Sequence, residues 1–228
     1  MRELLRLTAV NTAPDSENQM HDDTVAREYG FAGGGLVPGV DVFGYMVRGL
    51  LLEDPSWMRA GSGGELRLLR PYFDGEEVVV SRGEDGVWAG DRAVLRLAVP
   101  ALGPCLAGFA EFPAPRPRAS SESLAPGTIL GSLTHPMKEA GSARELLELA
   151  NEILMKNVVL QPWIHTASRI LWLEGAQRAQ EVEVRGYVSA EWERKGHRLV
   201  TVDLSYLELG TGQPVARVEH TAIWLYRR

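Results

Sequence analysis

Apolar and polar positions follow two rhythms along the chain. Runs with an approximately two-residue period predict strands over Arg2–Val10, Glu65–Arg70, Glu76–Arg82 and Val87–Val99, the last alternating through Ala93, Leu95, Leu97 and Val99. Two other stretches predict helices instead. Val40–Leu52 is apolar nearly all round, which predicts a buried helix. Ser142–Asn157 carries its apolar stripe through Leu146, Leu147, Ala150, Ile153 and Leu154, with Ser142 as N-cap and Glu145 at the capping-box position. A shorter helix is predicted over Asp22–Tyr29, with two carboxylates in its first turn.

The two rhythms divide the chain. Pro100–Gly127 is rich in Pro, Ala, Gly and Ser, and its Pro-Ala-Pro-Arg-Pro core predicts an extended, stiff strap. This predicts an N-terminal half (1–99), a linker (100–127) and a C-terminal half (128–228). After the linker come a strand over Thr128–Thr134, the second helix, and strands over Trp163–Leu173, Gln180–Trp192, His197–Glu208 and Val215–Tyr226. Leu66–Val80 compares with Ile170–Val184, each reading apolar strand, acidic-glycine turn and second strand, which suggests a duplicated unit.

Composition narrows the function classes. A net charge of -6 offers no basic face to nucleic acid, and no apolar run reaches membrane-spanning or signal-peptide length. A single cysteine, Cys105, excludes an intrachain disulfide and fits a reducing compartment, so a cytoplasmic location is expected.

Candidate chemistry concentrates in one stretch. The polar loop Pro14-Asp15-Ser16-Glu17-Asn18-Gln19-Met20-His21 is followed by Gly33-Gly34-Gly35 and then Pro38-Gly39, where the apolar helix begins. A histidine beside carboxylates can move protons, and a bare helix N-terminus offers amide donors to a developing oxyanion. The plainer reading of His21 is a cap on the short helix. The glycines lack the Gly-Lys-Ser/Thr of a phosphate loop, and His21-Asp22-Asp23, being consecutive, cannot all face one metal, so no metal is expected.

The segment Asn18-Gln19-Met20-His21-Asp22-Asp23, with Ala26, Gly30-Phe31 and Gly34-Gly35-Leu36-Val37-Pro38-Gly39, resembles the hydratase loop and helix entry of MaoC-like acyl-CoA dehydratases. The resemblance implies an α+β double hotdog: two long central helices, each wrapped by antiparallel strands that join into one continuous sheet. It places His21 on the family's catalytic histidine, Asn18 on its asparagine and Gly39 on the glycine whose amide holds the thioester oxygen. Two positions depart from the pattern. Ser16 stands where the family has its catalytic aspartate, and Gln19 stands where it has proline; Asp15, one residue early, is the candidate replacement.

The implied activity is hydration or dehydration of an enoyl or 3-hydroxyacyl thioester of coenzyme A or acyl carrier protein. His21, Asp15 and Asn18 would be catalytic, with Gly39, Val40, Ser16 and Asp41 around the substrate. No cofactor beyond the substrate's own carrier is expected, and no nucleic-acid or membrane partner; the assembly would be a monomeric pseudo-dimer or a homodimer. Two alternatives stand beside it. Asp41, in the first turn of the central helix, would serve a hotdog thioesterase, although dipole stabilisation is the plainer and favoured explanation. The missing aspartate would also suit a non-catalytic acyl-thioester-binding module. Arg48, Arg67, Arg70 and Arg82 are candidates for coenzyme A phosphates or a solvated face. His165, close behind Trp163 at a strand start, reads as structural or as part of a pocket wall.

Overall fold

A computed structural model describes residues 1–103, 105, 107–137 and 142–227. Pro104 and Leu106 of the Pro/Ala-rich stretch, and residues 138–141 and 228 of the C-terminal half, lie outside the described residues. The elements in chain order are β1 (Arg2–Thr8), a 3-10 turn (Gln19–His21), α1 (Asp23–Glu28), α2 (Gly39–Glu53), β2 (Gly63–Leu68), β3 (Glu77–Arg82), β4 (Gly86–Ala89) and β5 (Ala93–Arg96). There follow β6 (Ile129–Pro136), α3 (Ala143–Asn157), β7 (Ile164–Trp172), β8 (Glu181–Arg194), β9 (His197–Glu208) and β10 (Pro214–Leu225).

The strands form a single ten-stranded antiparallel sheet in the order β1-β3-β4-β5-β2-β7-β10-β9-β8-β6. Its first five members run 1-3-4-5-2, and the remaining five repeat that order in mirror sequence from the other edge, 6-8-9-10-7. The halves meet where β2 pairs with β7, from Gly63 opposite Leu171 to Arg67 opposite Ala167. The segments Leu66–Val80 and Ile170–Val184 thus hold equivalent places, β2 to β3 and β7 to β8.

Helix α2 contacts β1, β3, β4, β5 and β7, α3 contacts β6, β9 and β10, and the two helices contact each other. Phe43, Met46 and Leu50 of α2 and Leu147, Ala150 and Ile153 of α3 enter one buried cluster shared by both halves. Gly49 lets α2 approach the sheet closely, since a Cβ there would stand 2.7 Å from Val80. Ser142 caps α3 by accepting from the Glu145 amide at 3.4 Å.

The strand expected over Val87–Val99 is two strands. Gly90 adopts a φ of +52° and Arg92 N–H donates to Ala89 O at 3.1 Å, so the chain reverses between β4 and β5. Alternation of apolar residues continues through such a tight hairpin, which is why the pattern concealed it. The Pro/Ala-rich stretch is pinned by backbone bonds: Ala119 N–H reaches Val159 O at 3.0 Å, and Ser132 N–H reaches Ala110 O at 2.7 Å. Among the described residues no helix is long and apolar enough to cross a membrane.

Candidate functional site

The site lies where the polar loop crosses the start of α2. Asn18 initiates the 3-10 turn, its side-chain oxygen accepting from Met20 N–H at 3.3 Å. That turn presents His21. Asp22 then caps α1 by accepting from Val25 N–H at 2.9 Å. The glycine run passes tightly beneath: a Cβ on Gly35 would overlap the His21 carbonyl, and Leu36 N–H bonds Met20 O at 3.1 Å. Met20, Ala26 and Leu36 make a small separate core, with Phe31, Ile164 and Tyr226 packed against it.

These contacts fix the His21 tautomer. Nδ1 lies 2.6 Å from Leu36 O, and a carbonyl only accepts, so Nδ1 carries the hydrogen. Nε2 is therefore the basic nitrogen, and it accepts from Asn18 Nδ2 at 3.2 Å. Burial pushes the His21 pKa below its ordinary value, opposed by the Leu36 bond and the Asp41 charge. Asn18 is itself locked: its Nδ2 donates to Trp163 O at 3.0 Å and its Oδ1 accepts from Trp163 N–H at 3.1 Å. One buried amide thus joins the loop of the first half to the entry of β7 in the second.

Helix α2 opens after Pro38 with no side-chain cap. The amides of Asp41 and Val42 return to Pro38 O at 2.9 and 3.2 Å, while those of Gly39 and Val40 have no intrahelical acceptor. A cavity of about 210 Å³ reaches this helix mouth. Its walls include Asn18, His21, Leu36, Gly39 and Val42 from the first half, and Asn151, Trp163, His165 and Tyr226 from the second. Arg70, one of the four arginines noted in the sequence, also lines it and pairs with Asp91.

The remaining expected residues stand elsewhere. Asp15 is exposed and is not among the lining residues. Ser16 Oγ donates to Asn18 O at 3.2 Å, bracing the loop. Val40 is buried in the main core. Asp41 is 3% exposed, and its carboxylate receives Arg144 Nη2 at 2.6 Å and Thr12 Oγ1 at 2.5 Å. The cavity therefore gathers His21, Asn18 and Gly39, but none of Asp15, Ser16, Val40 and Asp41. Asn151 and the Trp163 backbone went unnoticed in the sequence, because their roles arise from contacts across the two halves.

His165 is the other imidazole in the wall. Its Nε2 lies 2.9 Å from Ser168 Oγ and 3.2 Å from Ala167 O, and Ser168 Oγ continues to His220 Nδ1 at 3.0 Å. The rings of His165 and His220 stack with centroids 4.1 Å apart. Burial pushes His165 down to about 4 and, with the neighbouring His165, pushes His220 well below its ordinary value, so both are neutral at pH 7.

Solved structures share this architecture. A conserved hypothetical protein of Mycobacterium tuberculosis with a double hotdog fold superposes with a TM-score of 0.60 at 10% identity, over 96% of this chain and 94% of that one. The fold is a double hotdog. The dehydratase domain of RzxB from Pseudomonas fluorescens matches with a TM-score of 0.56 at 13% identity, over 97% of this chain and 96% of that one. A GphF dehydratase variant gives 0.55 at 13% identity, over 98% and 97%. At these identities the likeness concerns the fold alone. No family model and no curated protein matches the sequence.

Proposed function

We propose that this double hotdog is a MaoC-like hydratase or dehydratase acting on an enoyl or 3-hydroxyacyl thioester of coenzyme A or acyl carrier protein. The observation that carries the reading is the His21 tautomer: Leu36 O holds the hydrogen on Nδ1 and leaves Nε2 basic in a cavity that also reaches Gly39 at the uncapped start of α2.

In the hydration direction His21 Nε2 takes a proton from water as the water oxygen bonds to the β-carbon. The C=C π electrons move toward the thioester carbonyl, and the resulting enolate oxygen is met by the Gly39 amide and the positive end of α2. His21 then returns its proton to the α-carbon. One O–H bond and one π bond break, one C–O and one C–H bond form, and no cofactor takes part. Charging the ring strengthens the Leu36 bond, and the 3.2 Å contact from Asn18 is the one that yields. The imidazole contributes roughly 10²–10⁴-fold. The Gly39 amide would contribute on the order of 10²–10³-fold.

A second reading has its own support. Asp15 is outside the cavity, so the acid that the resemblance expects is missing, which favours a non-catalytic acyl-thioester-binding module. The thioesterase reading has less support, because Asp41 is taken up by Arg144 and Thr12. Hydration of crotonyl-pantetheine and longer 2-enoyl-CoAs decides among them. Turnover lost in His21→Ala with the fold intact supports the hydratase; binding without turnover selects the module; thiol release lost in Asp41→Asn selects the thioesterase.

A further inference from the structure

Six buried side-chain N or O atoms among the described residues have no hydrogen-bond partner, and three of them belong to residues lining the one cavity described above: His165 Nδ1, Trp163 Nε1 and Asn151 Oδ1. An orphaned buried polar atom forfeits hydrogen bonds it would make in water, so three around one cavity need an explanation. All three come from the C-terminal half, whereas His21, Asn18 and Gly39 come from the N-terminal half. We propose that the C-terminal half builds a hydroxyl-binding subsite opposite His21, centred on His165 Nδ1, which receives the O–H of the attacking water or of a 3-hydroxyacyl chain. This rests on the thioester reading above and adds a substrate-binding residue to it.

The placement of His165 follows from a local irregularity. The β7–β10 register shifts between Thr221 and Ala222, which face Ala167 and His165, so Thr166 is an extra residue on β7. The bulge puts His165 and Ser168, three apart, on the same buried side, where simple alternation would separate them. Ser168 Oγ and Ala167 O then engage Nε2. Ala167 O only accepts, so Nε2 carries the hydrogen and Nδ1 keeps a lone pair. That lone pair stands at the helix mouth: a Cβ on Gly39 would come within 2.8 Å of it. His165 is 6% exposed and Trp163 4%, so neither orphan is satisfied by bulk water.

A lone pair held beside the thioester-oxygen site selects a ligand that brings a donor. An O–H meets that requirement, and the Trp163 indole N–H can donate back to the same class of group. A saturated acyl chain would leave the atoms unpaired. The subsite therefore discriminates 3-hydroxyacyl from acyl chains, and in hydration it orients the water that His21 deprotonates.

The test is binding of the non-reacting amide analogues of butyryl-pantetheine and 3-hydroxybutyryl-pantetheine, both 3-hydroxy enantiomers included, by titration calorimetry. Wild type is expected to prefer one 3-hydroxy enantiomer by roughly three- to ten-fold, the value of one net hydrogen bond. His165→Gln keeps an amide near Nε2 and removes the group at Nδ1, and it should abolish the preference. His165→Asn keeps a polar atom near Nδ1 and should restore part of it. Equal affinity of wild type for both ligands overturns the subsite while leaving the thioester reading in place. A wild-type preference that survives in His165→Gln overturns the assignment to His165. No binding of either analogue overturns the subsite and the thioester reading together. The wild-type comparison needs no variant, so a variant that fails to fold does not spare the proposal.

Discussion

Arg144, in the first turn of α3, donates two hydrogen bonds of 2.8 and 2.6 Å from Nε and Nη2 to a single oxygen of Asp41 in the first turn of α2. Thr12, on the segment that leads into the polar loop, donates to the other oxygen at 2.5 Å. One carboxylate thus ties together the starts of both helices and the loop that presents His21.

That relationship predicts a structural part for Asp41. Asp41→Asn should lower stability by about 1–3 kcal/mol, the range for a buried charged hydrogen-bond partner, discounted because Arg144 is 38% exposed. Thermal or urea unfolding measures it. Turnover per folded molecule should stay within a few-fold of wild type; a complete loss of activity in a fully folded protein would return Asp41 to the chemistry.

Gly39 predicts a loss of function with little loss of fold. A Cβ there would overlap Leu68 Cδ1 and stand 2.8 Å from His165 Nδ1. On the hydratase reading proposed above, Gly39→Ala should fill the helix mouth and reduce kcat/KM by roughly 10²-fold or more, as expected when an oxyanion donor is displaced. Its unfolding midpoint should fall modestly, because the Cβ must displace the flexible tip of Leu68 and crowd the His165 ring while alanine's better helix propensity offsets part of that cost. Unchanged kcat/KM would place the thioester oxygen elsewhere.

Asn18→Asp probes the basicity of His21. The carboxylate would still accept from Trp163 N–H and Met20 N–H and would set a negative charge against Nε2, although it loses the bond that Asn18 Nδ2 donates to Trp163 O, so the variant's fold is checked first. An adjacent opposite charge favours the protonated ring, so the acid limb of the kcat/KM profile should move up by roughly one pH unit or more. Direct titration of the His21 ring by NMR checks the same sign. A limb that moves down or stays fixed would separate His21 from the rate-determining ionisation.

Stability should fall in acid because of the buried imidazoles. The His165 pKa lies near 4 when folded, against an ordinary 6.5. Between those values the unfolded chain binds the proton and the folded chain does not. Stability therefore falls as pH drops from about 6.5 to 4, by about 3 kcal/mol for this ring, and His220 acts in the same direction. Urea unfolding across this range measures the slope, and His165→Asn should flatten it. An unchanged slope in that variant would assign the acid sensitivity to other groups.

Local patterns made many of the elements legible. An all-round apolar run marked α2 and an apolar stripe marked α3, and the Gly33–Gly39 run marked a loop because its glycines and Pro38 oppose regular structure. The β4–β5 hairpin was concealed, since Gly90 reverses the chain without interrupting the alternation on either side.

The site was legible only where its residues are adjacent in the chain. Asn18 and His21 sit on one turn, and the resemblance to the MaoC-like loop and helix entry, rather than spacing alone, pointed to Gly39 as their neighbour across the cavity. Asp15 and Asp41 were equally suitable by chemistry. What separates them from His21 is three-dimensional: Asp15 is exposed and outside the cavity wall, and Arg144, 103 residues away from Asp41, takes up its carboxylate. His165 needed more still. Its tautomer depends on Ser168 and Ala167, its direction on a bulge against β10, and its nearness to Gly39 on the packing of the second half against the first. By itself the sequence determined the elements and the His21 loop, because periodicity, turns and caps are short-range effects. Which polar groups share the cavity was decided only by tertiary structure, because pairing β2 with β7 and packing α2 on α3 bring together residues more than a hundred positions apart.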